Sequence, residues 1–244
     1  MTFWEGVLLI VGGLAAGTIN TIAGGGSLLT VPLLVLAGVE GNVANGSNRL
    51  GVLTSSTVAH FSFRRQGISV LRQSVPVLVP VIVGSVIGAA LVGQLADGTF
   101  EKVFGFLMIP VLIASFLPKK KQTETPKLGA KGTLVMFFFV GLYGGAFQAG
   151  VGLILVAALS RSGFDLINAS AVKVIVTITL ALSAIPVFLL NDQIAWGPAA
   201  VLALGFGAGG FFGAKLTVKG GERLIRPVLF AAVIGLSGRL LGLW

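Results

Sequence analysis

The sequence predicts an all-α polytopic membrane protein made of two inverted-topology repeats, each with a glycine-broken helix pair plus three further helices. Three observations carry that prediction. Apolar runs near the ~20 residues needed to cross a bilayer fill most of the chain. Their order restarts after a polar linker, and cations occupy alternate loops in opposite phase in the two halves. Composition agrees, with 55% hydrophobic and 10% charged residues, where a soluble domain carries about 25% charge.

The first element is an apolar helix at 5–23, with no basic stretch before it to mark a cleavable leader. Gly24, Gly25 and Gly26 interrupt it, and a second apolar segment follows at 27–38. Three adjacent glycines cost roughly 1 kcal/mol each relative to alanine inside a helix. They favour a break whose bare N–H groups point into a protected space. Close helix packing is the plainer reading of the same glycines. Twelve helical residues span only about 18 Å, so 1–38 is expected to form a hairpin or re-entrant pair. A polar knot, Asn45-Gly46-Ser47-Asn48-Arg49, closes this segment. The helix at 50–63 carries Thr54, Ser55, Ser56, Thr57, His60 and Ser62, hydroxyls suited to protein or water rather than lipid. Spans at 74–93 and 100–117 complete the first half, and 118–131, with five lysines, is the linker.

The pattern then begins again: a broken pair at 132–149 and 151–160, a polar-started helix at 171–190, and spans at 196–214 and 224–243. A shift of 124 residues lays Gly17 on Gly141, Gly26 on Gly150 and Arg49 on Lys173, and a shift of 125 lays Gly88-Ala89 on Gly213-Ala214. The units are therefore read as a first repeat, 1–118, a cytoplasmic linker, 119–131, and a second repeat, 132–244. Arg64, Arg65 and Arg72 follow the polar helix of the first half, whereas Asn191-Asp192-Gln193 follows that of the second. The next loops reverse: 94–102 holds only Lys102, and 215–226 holds Lys215, Lys219, Arg223 and Arg226. Cytoplasmic cations in both halves require both termini outside and the linker inside, so the repeats are inverted.

The net charge of +9 sits in short loops between apolar runs, which argues against a nucleic-acid surface. The chain has no cysteine and one histidine, a set that predicts no metal site and no cofactor. All eight carboxylates fall in or beside loops, so no acid–base pair or nucleophile–base constellation is expected. A P-loop is absent, and a triple glycine inside a membrane helix is no dinucleotide fingerprint.

What remains is a site for a small anion at the broken pairs. The candidates are the backbone of Gly24, Gly25, Gly26, Gly150 and Gly152, with Ser27, Asn45, Ser47, Asn48, Arg49, Gln148, Asn168, Ser170 and Lys173. A tetrahedral or pyramidal oxyanion needs several donors and one or two cations, and this set supplies them. Arg49 alone also reads as an interfacial anchor, and its symmetric counterpart Lys173 raises the functional reading. His60 reads either as a hydrogen-bonded core residue or as proton-linked. Gly84/Gly88 and Gly205/Gly209/Gly213 read as packing stripes.

The Gly17–Pro32 segment GTINTIAGGGSLLTVP, the ANGSNR knot, the Gly84xxxGly88 helix and the looser second copy GLYGGAFQAGVG resemble the TauE/SafE sulfite-exporter permease family over nearly the whole chain. That resemblance implies a cell-membrane permease exporting sulfite or a small organosulfonate. Its partners would be that anion and the bilayer. A membrane-embedded enzyme or assembly subunit is the alternative.

Overall fold

The computed structural model describes residues 1–116, 129–161, 164 and 166–218. The expected last span, 224–243, and most of the linker lie outside the described residues. The chain folds into helices α1 (Phe3–Ile22), α2 (Ser27–Leu36), α3 (Gly41–Arg65), α4 (Leu71–Gly93), α5 (Asp97–Phe116), α6 (Ala130–Ala146), α7 (Val151–Arg161), α8 (Leu166–Leu190) and α9 (Trp196–Val218). Segments Phe3–Ile22, Leu71–Gly93, Ile167–Leu190 and Trp196–Thr217 are long and apolar enough to cross a membrane. Leucine, valine and phenylalanine cover much of their outer faces, among them Val79, Leu91, Leu182 and Leu204. That is the surface expected where the surroundings are lipid.

One boundary differs from the sequence expectation in an instructive way. The polar knot at 45–49, expected to precede a helix at 50–63, is itself the second turn of α3, which runs unbroken from Gly41 to Arg65. Asn, Ser and Gly are weak helix formers. Here the helix is held by its surroundings, since Asn45, Ser47, Asn48 and Arg49 are all fully buried.

Helix boundaries recur at a nearly constant offset along the chain. A shift of 124 residues carries the end of α1 onto the end of α6 and the start of α2 onto the start of α7. A shift of 125 carries α3 onto α8 and α4 onto α9, end for end. Packing partners exchange in the same way: α1 lies along α9, while α6 lies along α4. The backbones meet because both interfaces lack side chains at the crossing. A Cβ on Gly17 would stand 2.3 Å from the Phe206 carbonyl oxygen, and one on Gly141 would stand 2.5 Å from that of Val81. The stripes Gly84/Gly88 and Gly205/Gly209/Gly213 face α6 and α1 in turn, so their role is close approach of helices. At the centre α3 packs against α8, and these two polar-started helices hold the site.

Candidate functional site: two helix breaks joined by buried cations

The first break begins where α1 ends. Ala23 donates its N–H to Ile19 O at 2.8 Å and Gly24 turns to φ +82°, a left-handed conformation that suits glycine. The chain re-enters helix at Ser27, and Leu28 and Leu29 donate to the carbonyls of Gly25 and Gly26 at 3.1 and 3.0 Å. Among the described residues nothing accepts from the backbone N–H groups of Gly25, Gly26 or Ser27, although all three residues are buried. These are the orphan donors of a helix N-terminus, where the helix dipole favours negative charge.

The second break has the same shape with different residues. Phe147 stands in the place of Ala23 and donates to Tyr143 O at 2.9 Å. Gln148 stands in the place of Gly24 and adopts φ 58°, a left-handed conformation rare for a side chain of its kind. The two breaks touch at glycine. Gly152 donates its N–H to Gly24 O at 3.3 Å, and a Cβ on Gly24 would lie 2.2 Å from Gly152 Cα.

Helix α3 spans both breaks with one face. Residues 45, 48 and 49 are spaced i, i+3 and i+4, so they share a side of the helix. Toward the first break, Asn48 donates to Ser27 Oγ at 2.9 Å and accepts from Thr30 Oγ1 at 2.5 Å. Toward the second, Asn45 donates to Ala146 O at 2.7 Å and accepts from Arg49 at 3.3 Å. Arg49 is 0% exposed. Its Nη1 donates to Gly144 O at 2.6 Å and to the Gln148 amide oxygen, and its Nη2 donates to Gly145 O at 2.7 Å and Ala146 O at 3.1 Å. The guanidinium also lies 5.2 Å from the centre of the Phe188 ring. Among the described residues none of the groups accepting its hydrogen bonds is a carboxylate, and its Nε–H finds no partner there. The Gln148 amide nitrogen, turned away from Arg49 by the bond its oxygen accepts, is likewise buried and without a partner among the described residues.

Lys173 stands on α8 as Arg49 stands on α3. It is 1% exposed, and its Nζ donates to Thr21 O at 2.6 Å and Asn20 O at 3.3 Å. Ser170, buried, and Asn168, half-buried, lie in the first turns of α8. Ser47 is turned elsewhere: its hydroxyl accepts from Ala195 N–H at 2.8 Å, at the turn between α8 and α9. His60 sits eleven residues beyond Arg49 on α3, about 16 Å along the helix axis. It stands half-buried, its ring edge-on to Phe61 at 5.7 Å. The structure therefore gathers Gly24–Ser27, Asn45, Asn48, Arg49, Gln148 and Gly152 at one junction and leaves Ser47 and His60 outside it. Thr30 and Asn20, which the sequence reading did not single out, belong to the junction. Thr30 was accessible, since it lies one helical turn from Ser27 on a buried face.

A buried polar junction between two broken helices, inside a bundle whose flanks are apolar, defines a polytopic helical membrane transporter. The family model described as sulfite exporter TauE/SafE matches residues 9–240, and the chain belongs to that family. It is 32% identical over 229 residues to a "Probable membrane transporter protein" of Haemophilus influenzae, covering 91% of this chain and 89% of that protein. It is 30% identical over 241 residues to the "Probable membrane transporter protein YfcA" of Escherichia coli K12, covering 97% and 89%. A "Probable membrane transporter protein ORF9" of a Sinorhizobium species is 28% identical over 240 residues, covering 96% and 91%.

Proposed function

We propose that the protein exports a small sulfur-containing oxyanion, sulfite or an organosulfonate, from the cytoplasm, bound where the two breaks meet. The observation that supports this reading is Arg49, a buried cation whose hydrogen-bond acceptors among the described residues are neutral and whose Nε–H is unused by them. A buried charge without a counter-charge is costly. An anion entering the junction would balance it and would take up the bare N–H groups of Gly25, Gly26 and Ser27. Asn45, Asn48 and Gln148 supply neutral donors around it, with Gly150, Asn168 and Ser170 on the side of the second repeat, where Lys173 holds the end of α1. Among the described residues no group of three or more His, Cys, Asp or Glu could hold a metal ion.

Efflux of such an anion needs no dedicated coupling ion in this reading. The cell interior is negative, and each negative charge leaving gains roughly 2.3 kcal/mol per 100 mV. For a dianion the gain doubles, enough at about 1.4 kcal/mol per tenfold to sustain a gradient above a hundredfold. Purified protein in liposomes, under an imposed potential and with no proton or sodium gradient, is expected to move labelled sulfite. His60→Asn should retain that flux. A wild-type flux that required a proton gradient, or loss of potential-driven flux in His60→Asn, would replace the uniport scheme with proton-linked transport.

The same reading takes 1–118 and 132–244 as inverted repeats with the 119–131 linker in the cytoplasm. A cysteine placed at Gln122 in this cysteine-free chain should react only with reagents that reach the cytoplasm. Labelling of intact cells by an impermeant maleimide would overturn the topology.

A further inference from the structure

The two buried cations do the same thing in opposite directions. Arg49 belongs to the first half of the chain and binds the last carbonyls of α6, those of Gly144, Gly145 and Ala146. Lys173 belongs to the second half and binds the last carbonyls of α1, those of Asn20 and Thr21. The shift of 124 residues that carries Arg49 onto Lys173 also carries Asn20 onto Gly144 and Thr21 onto Gly145. Each broken helix thus ends on a cation supplied by the other repeat.

The arrangement follows from what a broken helix leaves behind. The last carbonyls of a helix have no partner within it, and the dipole places partial negative charge there. At a chain end in water the solvent would satisfy them. At the junction Asn20 and Thr21 are buried, as are Gly144, Gly145 and Ala146, so the donors must come from the protein. Arg49 reaches three carbonyls with its planar fork, and Lys173 reaches two as a point charge.

We infer that Arg49 and Lys173 are positioning residues for transport: each fixes the end of the other repeat's broken helix, so that the two breaks are held in register. Lys173 then acts through α1, by holding the turn at Ala23 and Gly24 that aims Gly25–Ser27 at the junction. The inference stands whichever solute is carried.

The test is hydrogen exchange in the purified full-length protein, read in peptides covering Gly17–Gly24 and Gly141–Gln148. Lys173→Met should speed exchange of the Ala23 and Gly24 amides about tenfold or more, the order expected from loss of a charge-assisted bond. The peptide at the end of α6 should be unchanged. Arg49→Gln should give the mirror result, with the Phe147 amide speeding and α1 unchanged. Lys173→Arg, which keeps a donor cation, should restore protection at Ala23 and Gly24. In liposomes carrying labelled sulfite, Lys173→Met should lower maximal rate at least tenfold with less than a threefold change in apparent KM. Acceleration of both peptides in each variant would overturn the crossed assignment, as general loosening. An apparent KM raised tenfold with α1 protection intact would overturn it too, making Lys173 a direct ligand. If the two variants leave exchange crossed as stated but no sulfite moves in wild type, the positioning role survives and the substrate reading fails.

Discussion

Gly24→Ala is expected to abolish transport and to lower stability by about 3 kcal/mol or more. Two independent causes add. The residue has φ +82°, and a side chain in that left-handed region costs of order 1 kcal/mol or more. The new Cβ would also stand 2.2 Å from Gly152 Cα and 2.7 Å from its carbonyl carbon. Both neighbours are backbone of the opposite break, so no side-chain rotation relieves the clash, and overpacking of this kind typically costs 1–3 kcal/mol. Gly38→Ala separates the two causes, since Gly38 has the same φ of +82° with nothing within 4 Å of its Cβ position. It should cost only the conformational part and leave transport intact. Melting temperature in detergent and sulfite flux in liposomes check both variants. Equal behaviour of the two would show that the contact between breaks carries no function.

The comparison of sequence with structure turns on the range over which each signal acts. The first break was legible because its cause is local: three glycines in an apolar run have few other uses in a helix. The matching order of the helices was legible because Arg49 and Lys173, and the glycines before them, keep their spacing across 124 residues. The ANGSNR segment was misread as a knot because its composition is that of a turn. Burial on every side keeps it helical, and burial is a property of the assembled bundle. The main-chain partners of Arg49 and Lys173 were not legible at all. They are carbonyls 95 to 97 and 152 to 153 residues away, and a carbonyl is present at every position of a chain. Once the segment is helical, its spacing puts Asn45, Asn48 and Arg49 on one side. Spacing could not predict that Ser47 caps the start of α9 through Ala195.

Arg49→Gln is expected to reduce sulfite transport by a factor of ten to a hundred, the range of one hydrogen bond to a charged group at about 1.5–3 kcal/mol. It is also expected to destabilise the fold, because the carbonyls of Gly144, Gly145 and Ala146 lose a buried donor. The two losses have different origins, and Arg49→Lys tells them apart. Lysine keeps the charge that an anion would sense, and it cannot reproduce the planar fork that reaches three carbonyls and the Gln148 amide at once. If an anion binds beside this cation, Arg49→Lys should retain clearly more sulfite affinity than Arg49→Gln while melting at a similarly lowered temperature. If the guanidinium serves only to hold α6, the two variants should lose stability and transport in equal proportion. Isothermal titration with sulfite, paired with thermal melts of the same preparations, separates these outcomes. Affinity that fails to distinguish lysine from glutamine at position 49 would remove the buried charge from the substrate site.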